Sequence, residues 1–296
     1  MRQAKTFGSL ITAMVTPFDR NLKVDYAKVA DLAVHLLETG SDGLVLAGTT
    51  GESPTLSADE KIKIFETVLE AVKGRIKIIA GTGGNSTREA LALSEKAEKA
   101  GVDGLMLVTP YYNKPPQEGL YQHFKSIAAA VSLPVMLYNV PGRTAINLEA
   151  ETTLRLAEVE NIVAVKEAGG NLEQITYLCA KAPAGFSVYS GDDSLTLPVL
   201  SVGGVGVVSV ASHLAGPEIK KMIEAYCAGK IKEAAKIHQG LLPLFKGLFV
   251  EANPIPVKAA LNMTGKGVGE PRLPLCPLAE KHAATLRELL HSYKLL

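Results

Sequence analysis

Lys166 closes the run Ile162-Val163-Ala164-Val165. A lysine at the end of four apolar residues is expensive unless it is paired or used. Burial favours the neutral amine, and a neutral amine is the nucleophile that attacks a ketone to form a Schiff base. In an extended strand Ala164 and Lys166 share one face, and Val165 and Glu167 share the other. A small residue beneath the lysine leaves room for its stem. The competing reading is a lysine ion-paired at a rim, and this run alone does not choose between the two.

Other reactive groups follow other apolar runs. Gly48-Thr49-Thr50-Gly51-Glu52-Ser53 sets two hydroxyls between two glycines, a loop whose exposed N–H groups could hold a carboxylate or phosphate. An ordinary Gly/Thr turn is the alternative, and no Gly-Lys-Ser/Thr follows to make a nucleotide loop. Tyr111-Tyr112-Asn113-Lys114-Pro115 and Tyr138-Asn139-Val140-Pro141-Gly142-Arg143-Thr144 offer phenols for proton transfer, with aromatic packing as the alternative. Arg143 could grip a carboxylate with two bonds or be a solvated loop charge. Asp192 and Asp193 follow Ser190-Gly191 and read as helix caps, not as metal ligands. The histidines at 35, 123, 213, 238, 282 and 291 lack metal-ligand spacing, and no GxSxG elbow is present.

The elements that must position these groups are short β-branched runs alternating with amphipathic stretches of helical length. The runs are Leu10–Val15, Gly43–Ala47, Lys77–Ala80, Gly104–Val108, Pro134–Tyr138, Ile162–Lys166, Ser187–Ser190 and Val205–Val210. They are continuously apolar more often than alternating, as in parallel strands covered on both faces. Eight strand–helix units predict a (β/α)₈ barrel over residues 1–229, whose site lies at the C-terminal strand ends. Residues 215–228 read as the eighth barrel helix. Residues 230–296 read as a C-terminal helical region packed on the barrel, with breaks near Asn253-Pro254 and Pro271–Pro277. Gly40-Ser41-Asp42-Gly43-Leu44 and Gly101-Val102-Asp103-Gly104-Leu105 are one helix-to-strand loop used twice, to which no chemistry is assigned.

Composition narrows the class of partner. Lys+Arg 31 against Asp+Glu 30 gives +1 over 296 residues, with no basic run for nucleic acid. Cys179, Cys227 and Cys276 form no CxxC pair, as suits a reducing, cytoplasmic setting. Met1-Arg2-Gln3-Ala4-Lys5 is followed by no apolar signal core. Leu197–Gly216 approaches the length of a membrane span. Its glycines, serines and histidine make a buried strand with flanking loops the better reading.

Together the Gly48–Glu52, Tyr111–Pro115, Tyr138–Thr144 and Val165–Glu167 segments resemble the dihydrodipicolinate synthase/N-acetylneuraminate lyase family, over essentially the whole chain. The Thr-Thr pair and Pro-Gly-Arg-Thr resemble its synthases and not its lyases. The resemblance implies condensation of pyruvate with L-aspartate 4-semialdehyde through an imine on Lys166, in lysine and diaminopimelate biosynthesis. Thr49 and Thr50 then hold the pyruvate carboxylate, and Tyr138 carries protons, linked by Thr49 to Tyr112 of a neighbouring subunit. Arg143 binds the aldehyde substrate's carboxylate, and the backbones of Gly191 and Val208 line the pocket. No metal or other cofactor is implied; a homotetramer of two dimers is. Ser53, Asn85, Glu89 and Tyr111 match a cleft where some members bind inhibitory lysine. Ala58 and Lys61 stand where inhibited members often carry histidine, so inhibition is expected to be weak or absent. A sugar-acid aldolase or lyase using the same lysine is the nearest alternative, and a noncatalytic keto-acid-binding barrel is a further one.

Overall fold

A computed structural model describes residues 7–296. Met1-Arg2-Gln3-Ala4-Lys5, read above for a signal core, lies outside them. The strands are β1 Leu10–Ala13, β2 Gly43–Leu46, β3 Lys77–Gly81, β4 Gly104–Val108, β5 Val135–Asn139, β6 Ile162–Glu167, β7 Ser187–Ser190 and β8 Gly206–Ser209. All pair in parallel and in chain order, and β1 bonds to both β2 and β8, closing the (β/α)₈ barrel that the eight runs predict. The first run stops short of Val15, whose N–H donates to His213 Nε2 (3.1 Å) and not to a strand.

Both faces of the strands are covered, which is why the runs are continuously apolar. Leu44, Leu46, Leu105, Leu107, Leu137 and Val165 point outward into the layer beneath the helices. Ile11, Val45, Ile79, Met106, Met136, Ala164 and Val208 fill the barrel itself.

The covering helices are α1 Tyr26–Glu38, α2 Ala58–Val72, α3 Thr87–Ala100, α4 Gln117–Ala129, α5 Pro141–Thr144, α6 Ala150–Ala157, α7 Leu172–Lys181, α8 Thr196–Ser201 and α9 Ser212–Cys227. Asp25, Ser57, Ser86 and Asn171 start α1, α2, α3 and α7 by accepting the N–H three residues on. Ser57 and Glu60 complete a reciprocal capping box. The Leu197–Gly216 stretch holds most of α8 as well as β8, so it is a helix, a strand and a helix start instead of a strand with loops. Among the described residues no helix is long and apolar enough to cross a membrane.

The C-terminal region forms α10 Ile231–Gly247, α11 Ile255–Met263 and α12 Glu280–Ser292, broken near the prolines as expected. It packs through α10 and α11 onto α9, with α12 across α10 and α11. The repeated helix-to-strand loop has a structural task. Asp42 accepts from Leu10 N–H while its own N–H donates to Leu10 carbonyl, and Asp103 does the same with Ile78. Each aspartate clamps the preceding strand at its start.

Candidate active site

The strand register sets the reactive groups side by side. Tyr138, Lys166 and Tyr189 are neighbours across β5, β6 and β7, all facing the barrel interior. Lys166 is 5% exposed and has neither an ion pair nor a hydrogen bond to its amine among the described residues. Its Nζ lies 4.2 Å from the centre of the Tyr138 ring. The rim-ion-pair reading of Lys166 is thereby set aside. Ala164 lies beneath it on the same face, and Gly191, just past the end of β7, presents no side chain to its stem. A methyl group on Gly191 would sit 3.0 Å from Lys166 Cε.

Tyr138 borders a cavity of about 240 Å³ lined also by Gly48, Thr49, Ser53, Tyr111 and Arg143 with apolar neighbours, whereas Lys166, Thr50, Gly191 and Val208 are not among its lining residues. It meets the C-terminal strand ends, where a (β/α)₈ barrel places its site. Thr50 is buried beside it, its Oγ1 accepting from Asn253 Nδ2 at 2.9 Å. Arg143, exposed on α5, donates from one Nη to the Asn253 carbonyl (3.2 Å), and its other N–H groups have no hydrogen-bond partner among the described residues. Val208 is buried inside the barrel. Asp192 caps the turn after β7 by accepting from Ser194 N–H. Asp193 differs from the expected cap: it is buried and accepts from Ser209 Oγ and from the Val210 and Ala211 N–H groups, tying the turn after β7 to the end of β8, so only Asp192 caps a helical turn.

Two expected groups stand apart. Tyr112 is 90% exposed, sits at φ 73°, does not line the cavity and, among the described residues, makes no hydrogen bond with Thr49 or with the Tyr138 it is expected to serve. Among the described residues Tyr138 makes no hydrogen bond with Thr49. Of the four cleft residues, Ser53 and Tyr111 line the same cavity, whereas Asn85 is half-buried and Glu89 is exposed at the start of α3. Lys61 is half-buried on α2 without an ion-pair partner among the described residues, and burial pushes its pKa down.

Sequence reasoning missed an outer amide network. Glu167, one residue past Lys166 and on the opposite face, accepts from Asn139 Nδ2 (3.2 Å) and Gln174 Nε2 (3.0 Å). Asn139 in turn donates to Asn147 Oδ1 and accepts from Leu148 N–H. Burial pushes the Glu167 carboxyl up to about 7, against the pull of these bonds. The network ties the ends of β5 and β6, so Tyr138 and Lys166 keep their register. The adjacency Tyr138-Asn139 and Lys166-Glu167 carries the signal: a polar residue next to an inward one must point outward, into a layer covered by helices, and needs a partner there.

The chain matches the model of the dihydrodipicolinate synthetase family over residues 6–293. It is 60% identical over 289 residues to a 4-hydroxy-tetrahydrodipicolinate synthase of Heliobacterium modesticaldum, covering 98% of this chain and 96% of that one. It is 59% identical to the corresponding synthase of Bacillus subtilis, covering 95% and 97%. The crystal structure of the dihydrodipicolinate synthase from Cyanidioschyzon merolae with lysine bound superposes with a TM-score of 0.97 at 52% identity, covering 98% and 99%.

Proposed function

The chain belongs to the dihydrodipicolinate synthetase family, and from that premise we propose that Lys166 joins pyruvate to L-aspartate 4-semialdehyde through a Schiff base. The chain is an enzyme with 4-hydroxy-tetrahydrodipicolinate synthase activity, a lyase of lysine and diaminopimelate biosynthesis. The observation that carries the assignment of the lysine is its solitude: a nearly buried amine, unpaired among the described residues, against the ring of Tyr138, which itself lines the cavity.

The amine of Lys166 adds to the pyruvate ketone, and loss of water leaves an imine. The imine withdraws electrons from the methyl carbon, which gives up a proton to become an enamine. The enamine carbon forms the new C–C bond to the aldehyde, whose oxygen takes a proton. The amino group of the second substrate then attacks the imine carbon and expels Lys166. Thr49 and Thr50, on the loop after β2, receive the pyruvate carboxylate with hydroxyl and N–H donors. Gly191 and the Val208 backbone leave space for its methyl side. Arg143 at the cavity mouth receives the carboxylate of the aldehyde.

Tyr138 carries the protons, since its ring is in contact with Lys166 and its side chain lines the cavity. Tyr112 of a second copy completes the relay through Thr49. The exposure of Tyr112 at a loop tip held in left-handed backbone supports that reading, because a strained, solvent-facing tyrosine is accounted for by a surface it enters. A homotetramer built of two such dimers, in the cytoplasm, belongs to the same proposal. Lysine inhibition is weak or absent, because Ala58 and Lys61 stand where inhibited members often carry histidine and Lys61 would bring a positive charge near the ammonium of any lysine in the cleft of Ser53, Asn85, Glu89 and Tyr111. The sugar-acid lyase reading is not favoured, because the curated relatives at high identity are synthases.

An acceptor panel tests the substrate assignment. Purified enzyme with pyruvate should turn over L-aspartate 4-semialdehyde and leave sugar aldehydes untouched, and Arg143→Ala should lose kcat/KM chiefly for the semialdehyde. Equal turnover of a sugar aldehyde would reject it.

A further inference from the structure

The loop carrying Thr49 and Thr50 turns between two non-glycine residues in left-handed backbone, Ala47 (φ 50°) and Glu52 (φ 57°). Such a conformation persists only where its surroundings over-determine it. For Glu52 those surroundings come from the far end of the chain. Its carboxylate is 2.8 Å from Lys258 Nζ on α11, with both side chains essentially inaccessible. Lys258 spends its other two donors on the Thr16 and Glu270 carbonyls, each at 3.1 Å. The second Glu52 oxygen accepts the Arg272 N–H at 2.8 Å. Two further bonds grip the loop: Thr16 Oγ1 donates to the Gly51 carbonyl (2.7 Å), and Asn253 Nδ2 donates to Thr50 Oγ1. Neither Glu52 nor Lys258 lines the cavity.

A buried ion pair is weak evidence for stability, since apolar residues of similar volume fill such a site as well or better. Its distinctive gift is geometry: one carboxylate and one ammonium, all bonds satisfied, define a single backbone position for the loop between them. We propose that Lys258, acting through Glu52, is a positioning residue that sets the carboxylate-binding backbone of Gly48–Thr50, so the C-terminal helical region governs affinity for the keto acid. This inference rests on the reading that the loop receives the pyruvate carboxylate.

The test uses the full-length enzyme and four variants: Lys258→Met, Glu52→Gln, the double Glu52→Gln/Lys258→Met, and Glu52→Asp, which keeps both charges and withdraws the carboxylate by one methylene. Each is assayed for KM of both substrates, for imine formation at subsaturating pyruvate trapped by borohydride, and for Tm. The single neutral variants strand a buried charge and should lose Tm. The double variant should recover Tm toward wild type while its pyruvate KM stays about tenfold raised and its trapping rate falls in proportion, as misplacement of a binding group by a fraction of an ångström predicts. Its KM for the aldehyde should move by less than about twofold. Glu52→Asp should show the same split to a smaller degree. A folded double variant or Glu52→Asp with wild-type pyruvate KM and trapping rate overturns the inference. A wild-type enzyme that traps no pyruvate at all overturns instead the Schiff-base reading beneath it.

Discussion

Gly191→Ala is the smallest change that reaches Lys166 without touching it. A methyl group built on Gly191 stands 2.6 Å from Ala168 Cβ, 3.0 Å from Lys166 Cε and 3.1 Å from the Glu167 carbonyl. Carbon pairs sit comfortably at about 3.5–4.0 Å, so roughly an ångström must be recovered. The strand ends have little to give, because Gly191 N–H donates to the Glu167 carbonyl at 2.6 Å. The largest overlap is with Ala168 Cβ, and the lysine stem, the flexible party, has to yield about 0.5 Å. Overpacking of this kind costs about 1–3 kcal/mol of stability. If a displacement of about 1 Å costs on the order of a hundredfold, one of about 0.5 Å costs roughly tenfold in rate, about 1.4 kcal/mol of barrier. The assay is kcat/KM for pyruvate, with Tm alongside. Gly240→Ala on α10, where a methyl group meets nothing within 4 Å, is the control and should match wild type in activity. If Gly191→Ala keeps kcat/KM within about threefold of wild type, the claim that the Lys166 amine must occupy this position loses its support.

The buried Glu167 predicts a pH dependence. Its pKa rises from 4.5 in the unfolded chain to about 7 in the fold, so its contribution is fully present below 4.5 and is lost as pH climbs through 7, by up to about 3 kcal/mol. Thermal unfolding from pH 5 to 8 should show that decline in wild type and a flatter profile in Glu167→Gln; identical slopes would count against it. Added L-lysine should inhibit the purified enzyme weakly or not at all, and a sub-millimolar inhibition constant would refute the reading of Ala58 and Lys61.

The barrel was legible because each strand is buried on both faces and so writes a continuous apolar run, bounded by turn residues. The core of the site was legible for a related reason. A (β/α)₈ barrel gathers its strand ends, so Lys166, Tyr138, Thr49 and Arg143 could be placed together from their positions in the runs. Two kinds of group were not legible. Asn253 and Lys258 reach the β2 loop from 203 and 206 positions away, on a region that no strand period orders, and no spacing in the sequence forecasts those contacts. Nor does any spacing within one chain forecast what covers Tyr112, whose ring is 90% exposed. The Asn139–Glu167 network lies between these extremes: its positions were in view, but pairing them requires the outer layer that the helices create.

The covalent imine on Lys166 can be trapped directly. Incubation with pyruvate and borohydride, followed by peptide mass spectrometry, should show a reduced adduct on Lys166 that appears only when pyruvate is present and is absent in Lys166→Ala. An unmodified Lys166, or an adduct on another lysine that persists in Lys166→Ala, would contradict it.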